Sequence, residues 1–214
     1  MAVITKIEEQ KNKKRVNIFV DDAFFCGISK ETAVVFRFKV GSVVNENKLL
    51  EAVHASEVNR AFEKASDYLG MRMHSKKELV DKLLKKGFDR DVISEAVAKL
   101  EEYHFVDDEL MAKTFVEQNG KYSRRMLENK LKAKGVDGKI AKETALIKTD
   151  EDEFLLCKRF AQKHIDSKGL NDDNDVKKLF ASLLRKGFTF DIVKKAVYQI
   201  THNEIIENLE EWKL

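Results

Sequence analysis

Three stretches of this chain carry one pattern: 75–88 reads SKKELVDKLLKKGF, 123–136 reads SRRMLENKLKAKGV and 175–188 reads DVKKLFASLLRKGF. Each has two leucines four residues apart, a glycine four residues further on, and then an apolar residue. The glycines are separated by 48 residues (135 − 87) and 52 residues (187 − 135). Spacings near this range are typical of proteins built from structural repeats. The chain is therefore predicted to be an array of three similar units.

Within one copy, the leucines fall on a single face of a helix and the glycine stands where that helix ends. Ser75 and Glu78 form a capping box at the start of the first copy. Ser123 is expected to cap the second copy, and Asp175 is the equivalent position in the third. A further amphipathic run follows each glycine, and a longer one precedes each cap; the predicted helices are 89–103, 137–147 and 189–199 after the glycines, and 56–70, 107–120 and 149–168 before the caps.

The predicted fold class is mainly α: tandem three-helix repeats in an elongated curved array, because one copy has too small a core to be stable alone. The repeats are placed at 56–106, 107–148 and 149–214, the last with an insertion at 169–174 and a C-terminal helix. The central copy matches least well, with Lys148 where the others have Leu100 and Ile200. The alternative is one globular helical bundle in which the leucine spacing arises by chance.

The N-terminal segment, 1–55, breaks the helical pattern. Short β-branched and aromatic runs at 3–7, 15–20 and 23–26 predict a small antiparallel β-meander. Two short helices, 31–38 and 45–54, are expected to follow it. The adjacent Phe24 and Phe25 could stack on a nucleic-acid base, but one ring in the core of the sheet is the favoured interpretation.

Composition indicates a charge-rich helical protein: 214 residues, 43% hydrophobic, 36% charged, and no proline. No apolar run is long enough to span a membrane, and the first residues lack the apolar core of a secretory signal. Two distant cysteines, Cys26 and Cys157, are expected to be free or buried thiols. The protein is predicted to be cytoplasmic.

No catalytic or metal-binding motif is evident. The five histidines are scattered, and neither a zinc spacing nor a phosphate-cradling glycine pattern occurs. The acidic groups 107–109 and 149–153 stand at predicted helix starts, where carboxylates cap free amides and favour the helix dipole. No cofactor, no metal and no enzymatic activity are predicted.

Positive charge is concentrated in the central copy. Between residues 120 and 142, eight lysines and arginines face only Glu128 and Asp137, so the local net charge is 8 − 2 = +6 in a chain of net charge +3. Such a surface attracts a phosphate backbone or an acidic protein. It could instead be a solvated helix face, and for the basic residues of the outer copies the two interpretations are evenly balanced.

The pattern at 75–88, the following tract Tyr103-His104-Phe105-Val106-Asp107-Asp108-Glu109 and the opening Lys121-Tyr122-Ser123 of the next copy resemble the RecX family. The N-terminal strands and the three copies match this family along essentially the whole chain. The third-copy insertion and an acidic tail containing Glu204, Glu207, Glu210 and Glu211 are variable features in which this chain departs from the family pattern.

The resemblance implies a non-enzymatic regulator, expected to be a monomer, that binds the RecA recombinase in the groove of its nucleoprotein filament and commonly inhibits it. Single-stranded or duplex DNA is a second possible partner. The electrostatic contacts are predicted, from charge rather than from the family pattern, at Lys121, Arg124, Arg125, Lys130, Lys132 and Lys134. The alternative is an autonomous DNA-binding protein, since a basic three-helix unit can resemble a helix-turn-helix.

Overall fold

A computed structural model describes residues 2–201 of the chain. Two compact units divide it, the first ending at Asp107 and the second beginning at Asp108. The first unit contains the N-terminal sheet and the first repeat, and the second contains the other two repeats. The predicted C-terminal helix and acidic tail lie outside the described residues.

The N-terminal sheet has four antiparallel strands in the order β3-β2-β1-β4. These strands and the first helix are β1 (Ala2–Glu9), β2 (Arg15–Val20), β3 (Ala23–Ser29), α1 (Lys30–Val35) and β4 (Val43–Val44). The predicted meander is thus confirmed and gains a fourth strand. A two-residue strand is too short to leave a periodic signal in the sequence, which is why β4 was not foreseen.

One face of the sheet forms a hydrophobic core. Val16, Ile18 and Val20 are buried, as their alternation along β2 predicted. Phe25 packs against this core, whereas the Phe24 side chain is 61% exposed and meets Phe19 edge-on at 5.9 Å between ring centroids. One of the two adjacent phenylalanine rings therefore packs at the core of the sheet, as the favoured interpretation predicted.

The prediction of separate helices at 45–54 and 56–70 is wrong. A single helix, α2 (Glu46–Met71), runs through both. No glycine or proline interrupts the junction, and both halves have apolar faces to bury: Leu49 packs in the core of the sheet and Ala61 in that of the first repeat. The predicted boundary after residue 55 falls inside this helix, so the sheet and the first repeat share it.

The remaining helices follow the predicted three-helix copies. After α2 they are α3 (Lys76–Leu84) and α4 (Arg90–Glu102) in repeat 1, α5 (Asp108–Gln118), α6 (Arg124–Ala133) and α7 (Gly138–Ala145) in repeat 2, and α8 (Asp150–Lys168), α9 (Asp173–Arg185) and α10 (Phe190–Thr201) in repeat 3. Each repeat has its own buried cluster. All six leucines of the pattern are at most 1% exposed: Leu79, Leu83, Leu127, Leu131, Leu179 and Leu183.

The glycine and the apolar residue after it end each middle helix in the same way. In repeat 1, the Gly87 amide donates to the Leu84 carbonyl and the Phe88 amide to the Leu83 carbonyl. This is the Schellman arrangement, which needs a left-handed residue at the glycine and brings the following apolar side chain toward the last buried leucine. The pattern glycines of the three repeats have φ values of 82°, 86° and 89°, so the motif encodes a helix end as well as a buried face.

The predicted caps of the first two copies are confirmed. Ser75 and Glu78 form a complete capping box, and the Ser123 hydroxyl accepts from the Met126 amide. The expectation that Asp175 caps the third copy is wrong, because α9 begins at Asp173 and is capped one turn earlier by Asp172, whose carboxylate accepts from the Asp175 amide at 2.7 Å. The insertion at 169–174 therefore contains the cap of α9, one turn before the position that the repeat pattern indicates.

Candidate anion-binding surface of the second and third repeats

The outer face of α6 carries two of the six predicted contact residues. Arg125 and Lys132 are seven residues apart, which is two helical turns, and both are exposed. Leu127 and Leu131 occupy the opposite, buried face. Lys132 also pairs with Glu128 at 2.5 Å, in an exposed pair that is screened by water. This face therefore presents cations because the two leucines fix its orientation.

Three further predicted residues lie against aromatic rings. The Lys121 and Lys130 ammonium groups lie 5.3 Å and 4.5 Å from the centre of the Tyr122 ring. The Lys134 ammonium lies 5.7 Å from the Phe115 ring. Such contacts hold a flexible cation in place at small energetic gain, about 0.5–1 kcal/mol at an exposed site. The rings thus limit the freedom of these side chains without neutralising them.

Arg124, the sixth predicted residue, has a different environment. Its guanidinium pairs with Asp150 at 2.5 Å and donates from Nε to the Lys148 carbonyl at 2.6 Å. Its side chain is only 24% exposed. Arg124 therefore joins the start of α6 to the start of α8, and its charge is already compensated by a carboxylate.

Next to these Arg124 contacts lies a buried ion pair that the sequence did not predict. The Lys148 ammonium lies 3.4 Å from the Glu153 carboxylate and donates to the carbonyls of Gly120 at 3.2 Å and Tyr122 at 2.7 Å. Glu153 in turn accepts from the Arg124 amide at 3.1 and 3.2 Å. Burial lowers the pKa of Lys148, and the neighbouring Glu153 charge opposes that change.

This pair explains the weakest point of the repeat pattern. The apolar position held by Leu100 and Ile200 becomes Lys148 in repeat 2, where its ammonium satisfies carbonyls in the α5–α6 loop. A lysine at an apolar register position was the available signal, but its partners are separated from it in sequence. The pair fixes the loop that carries Lys121 and Tyr122.

A groove between repeats 2 and 3 extends the positive surface. Its volume is about 570 Å³, and the lining side chains combine cations with two aromatic rings: Lys121, Tyr122, Ser123, Met126, Arg159, Phe160, Lys163 and Lys186. Within the described range 2–201, none of its lining residues is acidic, and all four cations are exposed. Arg159, Lys163 and Lys186 come from repeat 3 and were not among the predicted contacts, since only packing brings them beside Lys121.

The described part of the chain has no metal site, no membrane-spanning helix and no reactive cysteine. Among residues 2–201, no three histidine, cysteine or acidic side chains are grouped as a metal site requires. No helix of that range is long and apolar enough to cross a membrane. Both cysteines are free thiols, and burial raises the pKa of Cys26 to about 11 and that of Cys157 to about 12. Little thiolate therefore exists at neutral pH.

The fold and this surface define a helical-repeat protein with an N-terminal β-sheet and a cation-lined groove. Comparison with known families gives three matches: the regulatory protein RecX N-terminal domain at residues 2–45, the first three-helix domain of RecX at 61–100 and its third three-helix domain at 150–197. The chain belongs to the RecX family of regulatory proteins.

Individual relatives agree with this assignment. Regulatory protein RecX of Clostridium botulinum (strain Eklund 17B / Type B) is 34% identical over 214 residues, covering 97% of this chain and all of the relative. Regulatory protein RecX of Bacillus subtilis (strain 168) is 33% identical over 211 residues, covering 94% of this chain and 78% of the relative.

Two solved structures are similar to the fold. A crystal structure of regulatory protein RecX has a TM-score of 0.75 at 23% identity, covering 91% of this chain and all of that one. The crystal structure of RecX from Lactobacillus salivarius has a TM-score of 0.65 at 25% identity, covering 70% of this chain and 99% of that one. The sheet-plus-repeat architecture is thus that of known RecX proteins.

Proposed function

We propose that this protein binds the RecA recombinase and its nucleoprotein filament and reduces recombinase activity without catalysing a reaction itself. Its relatives are named regulatory proteins, and the resemblance of the sequence to RecX supplies RecA as the partner. Such a regulator would act as a cytoplasmic monomer in DNA recombination and repair.

The observation that carries this proposal is the cationic outer face of α6. Arg125 and Lys132 extend from it, and Lys130 and Lys134 flank it against their aromatic rings. A filament of RecA on DNA is a polyanion with repeated protein subunits, and a cationic helix is attracted to it over about a Debye length. Arg124 positions this face through its contacts with α8 and makes a smaller direct contribution.

The repeat construction also suits a filament as partner. Each repeat exposes its own lysines and arginines, so several weak contacts can form along one chain. Once one repeat is bound, the next binds at a high effective concentration, which raises the overall affinity without a single tight site.

The proposal is tested by RecA filament assembly on single-stranded DNA, followed by light scattering and ATPase rate. Substoichiometric protein is expected to shorten filaments and lower the ATPase rate. The Arg125→Ala/Lys132→Ala variant is expected to require several-fold more protein for the same effect. Lys11→Ala/Lys13→Ala, which removes the same charge from exposed positions of the turn between β1 and β2, outside the repeats, is the matched control. Unchanged assembly and ATPase with the wild-type protein would reject the proposal.

Autonomous DNA binding is the competing function. It requires duplex binding with sequence preference in the absence of RecA, whereas lysines directed at phosphates carry no sequence information. A titration of several duplex sequences over a range of salt concentrations separates the two. Tight, sequence-selective binding without RecA would favour the competing function.

A further inference from the structure

The groove between repeats 2 and 3 has an unbalanced charge. Lys121, Arg159, Lys163 and Lys186 line it, and no acidic residue among those that the structure describes does. Among residues 2–201, no carboxylate pairs with any of these four cations, in contrast to Arg124 and Lys132 nearby. Four like charges around one concavity repel one another, and a bound anion would relieve that repulsion.

The size of the groove favours a chain of anions over a single ion. Its volume of about 570 Å³ is within the range of sites that enclose organic ligands. One inorganic phosphate would leave most of it empty and would reach only part of the charge, which comes from two repeats. A polymer with a phosphate at each residue can satisfy several of the cations at once.

The aromatic rings indicate what accompanies the phosphates. Tyr122 and Phe160 both line the groove, and each has a lysine over its ring: Lys130 at 4.5 Å and Lys186 at 4.6 Å. A cation placed beside an apolar ring offers adjacent sites for a phosphate and for the base attached to it. This combination is characteristic of grooves that bind single-stranded nucleic acid.

A hydrogen bond joins the two repeats at the floor of the groove. Ser123 is buried there and its hydroxyl donates to the Lys186 carbonyl at 2.5 Å. A double helix has its bases inside and a wide convex surface, so it cannot place them beside rings within a cleft of this kind. We infer that this groove binds a single-stranded phosphodiester chain, with Lys121, Arg159, Lys163 and Lys186 contacting phosphates and Tyr122 and Phe160 contacting bases.

The inference goes beyond binding of RecA, and it is tested with RecA absent, so that either proposal can fail without the other. The probe is a fluorescein-labelled 20-nucleotide oligo(dT), titrated with the full-length protein and followed by anisotropy over a range of salt concentrations. The test variant is Arg159→Ala/Lys163→Ala. The matched control, Lys139→Ala/Lys142→Ala, removes two exposed cations of α7 in the same unit but outside the groove.

The groove variant is expected to bind oligo(dT) at least about tenfold more weakly than wild type, and the plot of log affinity against log salt to become shallower by about 1.4, since each neutralised phosphate of a single strand contributes about 0.7. The control is expected to change affinity less than about threefold. Lys186→Ala, with circular dichroism to verify the fold, provides a second variant within the groove.

Three results would overturn the inference. Equal losses in the groove and control variants would show unspecific attraction by the basic surface. Equal or tighter binding of a 20-base-pair duplex would exclude a single-strand site. Binding of a labelled polyglutamate peptide with no binding of oligo(dT) would assign the groove to an acidic protein segment instead.

Discussion

The Ser123 hydroxyl accepts a hydrogen bond from the Met126 amide at 3.3 Å and donates one to the Lys186 carbonyl at 2.5 Å. One side chain therefore caps the start of α6 in repeat 2 and satisfies a carbonyl at the end of α9 in repeat 3. Gly187 packs against the same point, where a Cβ atom would lie 2.7 Å from the Ser123 oxygen. The start of the leucine–glycine pattern in repeat 2 therefore contacts the end of the same pattern in repeat 3.

Replacement of Ser123 by alanine is expected to destabilise the second unit by about 2–3 kcal/mol. About 1 kcal/mol is the lost helix cap, and the remainder is the Lys186 carbonyl left without its partner in a partly buried place. Thr149→Ala, which removes the exposed cap of α8 in the same unit, should cost only about 1 kcal/mol. Urea unfolding measures both, and equal losses would show that the Ser123–Lys186 bond contributes nothing.

Gly87 and Gly187 form a matched pair for separating backbone strain from packing. Their φ values are 82° and 89°, so alanine at either should cost about 1–2 kcal/mol from the left-handed conformation. A Cβ at Gly87 meets nothing within 4 Å, whereas one at Gly187 also meets the Arg125 Cβ at 3.1 Å. Gly187→Ala should therefore lower the free energy of unfolding by at least about 1 kcal/mol more than Gly87→Ala in urea titrations. Losses of the same size would contradict the close approach of the two repeats.

The buried pair of Lys148 and Glu153 predicts strong coupling. Lys148→Met should cost about 3–5 kcal/mol, because it leaves the Glu153 charge buried without a cation and two carbonyls without a donor. Lys148→Met/Glu153→Gln should recover part of this loss, since a glutamine can still accept from the Arg124 amide. Lys142→Met, at an exposed site of α7, should stay within about 0.5 kcal/mol of wild type. Urea unfolding of Lys148→Met, Glu153→Gln and the double variant measures the coupling. If the loss of unfolding free energy in the double variant equals the sum of the two single losses, the pair is not coupled.

His74 makes the first unit sensitive to acid. Burial lowers the pKa of His74, the Arg72 charge acts in the same direction, and Glu78 opposes them. The unfolded chain therefore binds this proton at higher pH than the folded chain does, so the stability contributed by neutral His74 is complete above about pH 6.5 and is lost as pH falls through the lower folded pKa. His74→Gln should flatten the dependence of unfolding free energy on pH below about pH 6.5.

The matched variant for that measurement is His164→Gln in the second unit, whose pKa is also lowered by partial burial. It should leave the contribution of His74 in place. An unchanged slope in the His74→Gln protein would show that this histidine titrates alike in the folded and unfolded chains.

Local rules explain how much of the fold was predictable. The leucine spacing, the Ser75 capping box and the closing glycines act within a single helix, so the sequence indicates them directly. The predicted helix boundaries were wrong where two residues could serve as the cap, or where tertiary packing determined whether a helix continued. Asp172 replaced Asp175 as a cap because the insertion places a second capping residue one turn earlier, where its carboxylate accepts from the Asp175 amide, and α2 continued because both of its halves had a surface to bury.

The contact residues were likewise predictable only in part. Charge counting located the basic repeat, but it could not distinguish Arg125, which is exposed, from Arg124, which is paired with Asp150. That distinction depends on α8, 26 residues away at the nearest contact. Neither could charge counting find Arg159 or Lys163, because their neighbours belong to another repeat.

The sequence by itself determined the three-repeat fold, the helix ends closed by glycine and the family, because periodicity, caps and left-handed glycines operate over a few residues. Tertiary structure alone decided which cations are neutralised, which remain exposed and which share a groove. Charges interact through space, over distances that depend on how helices from different repeats pack, and no local pattern records that distance.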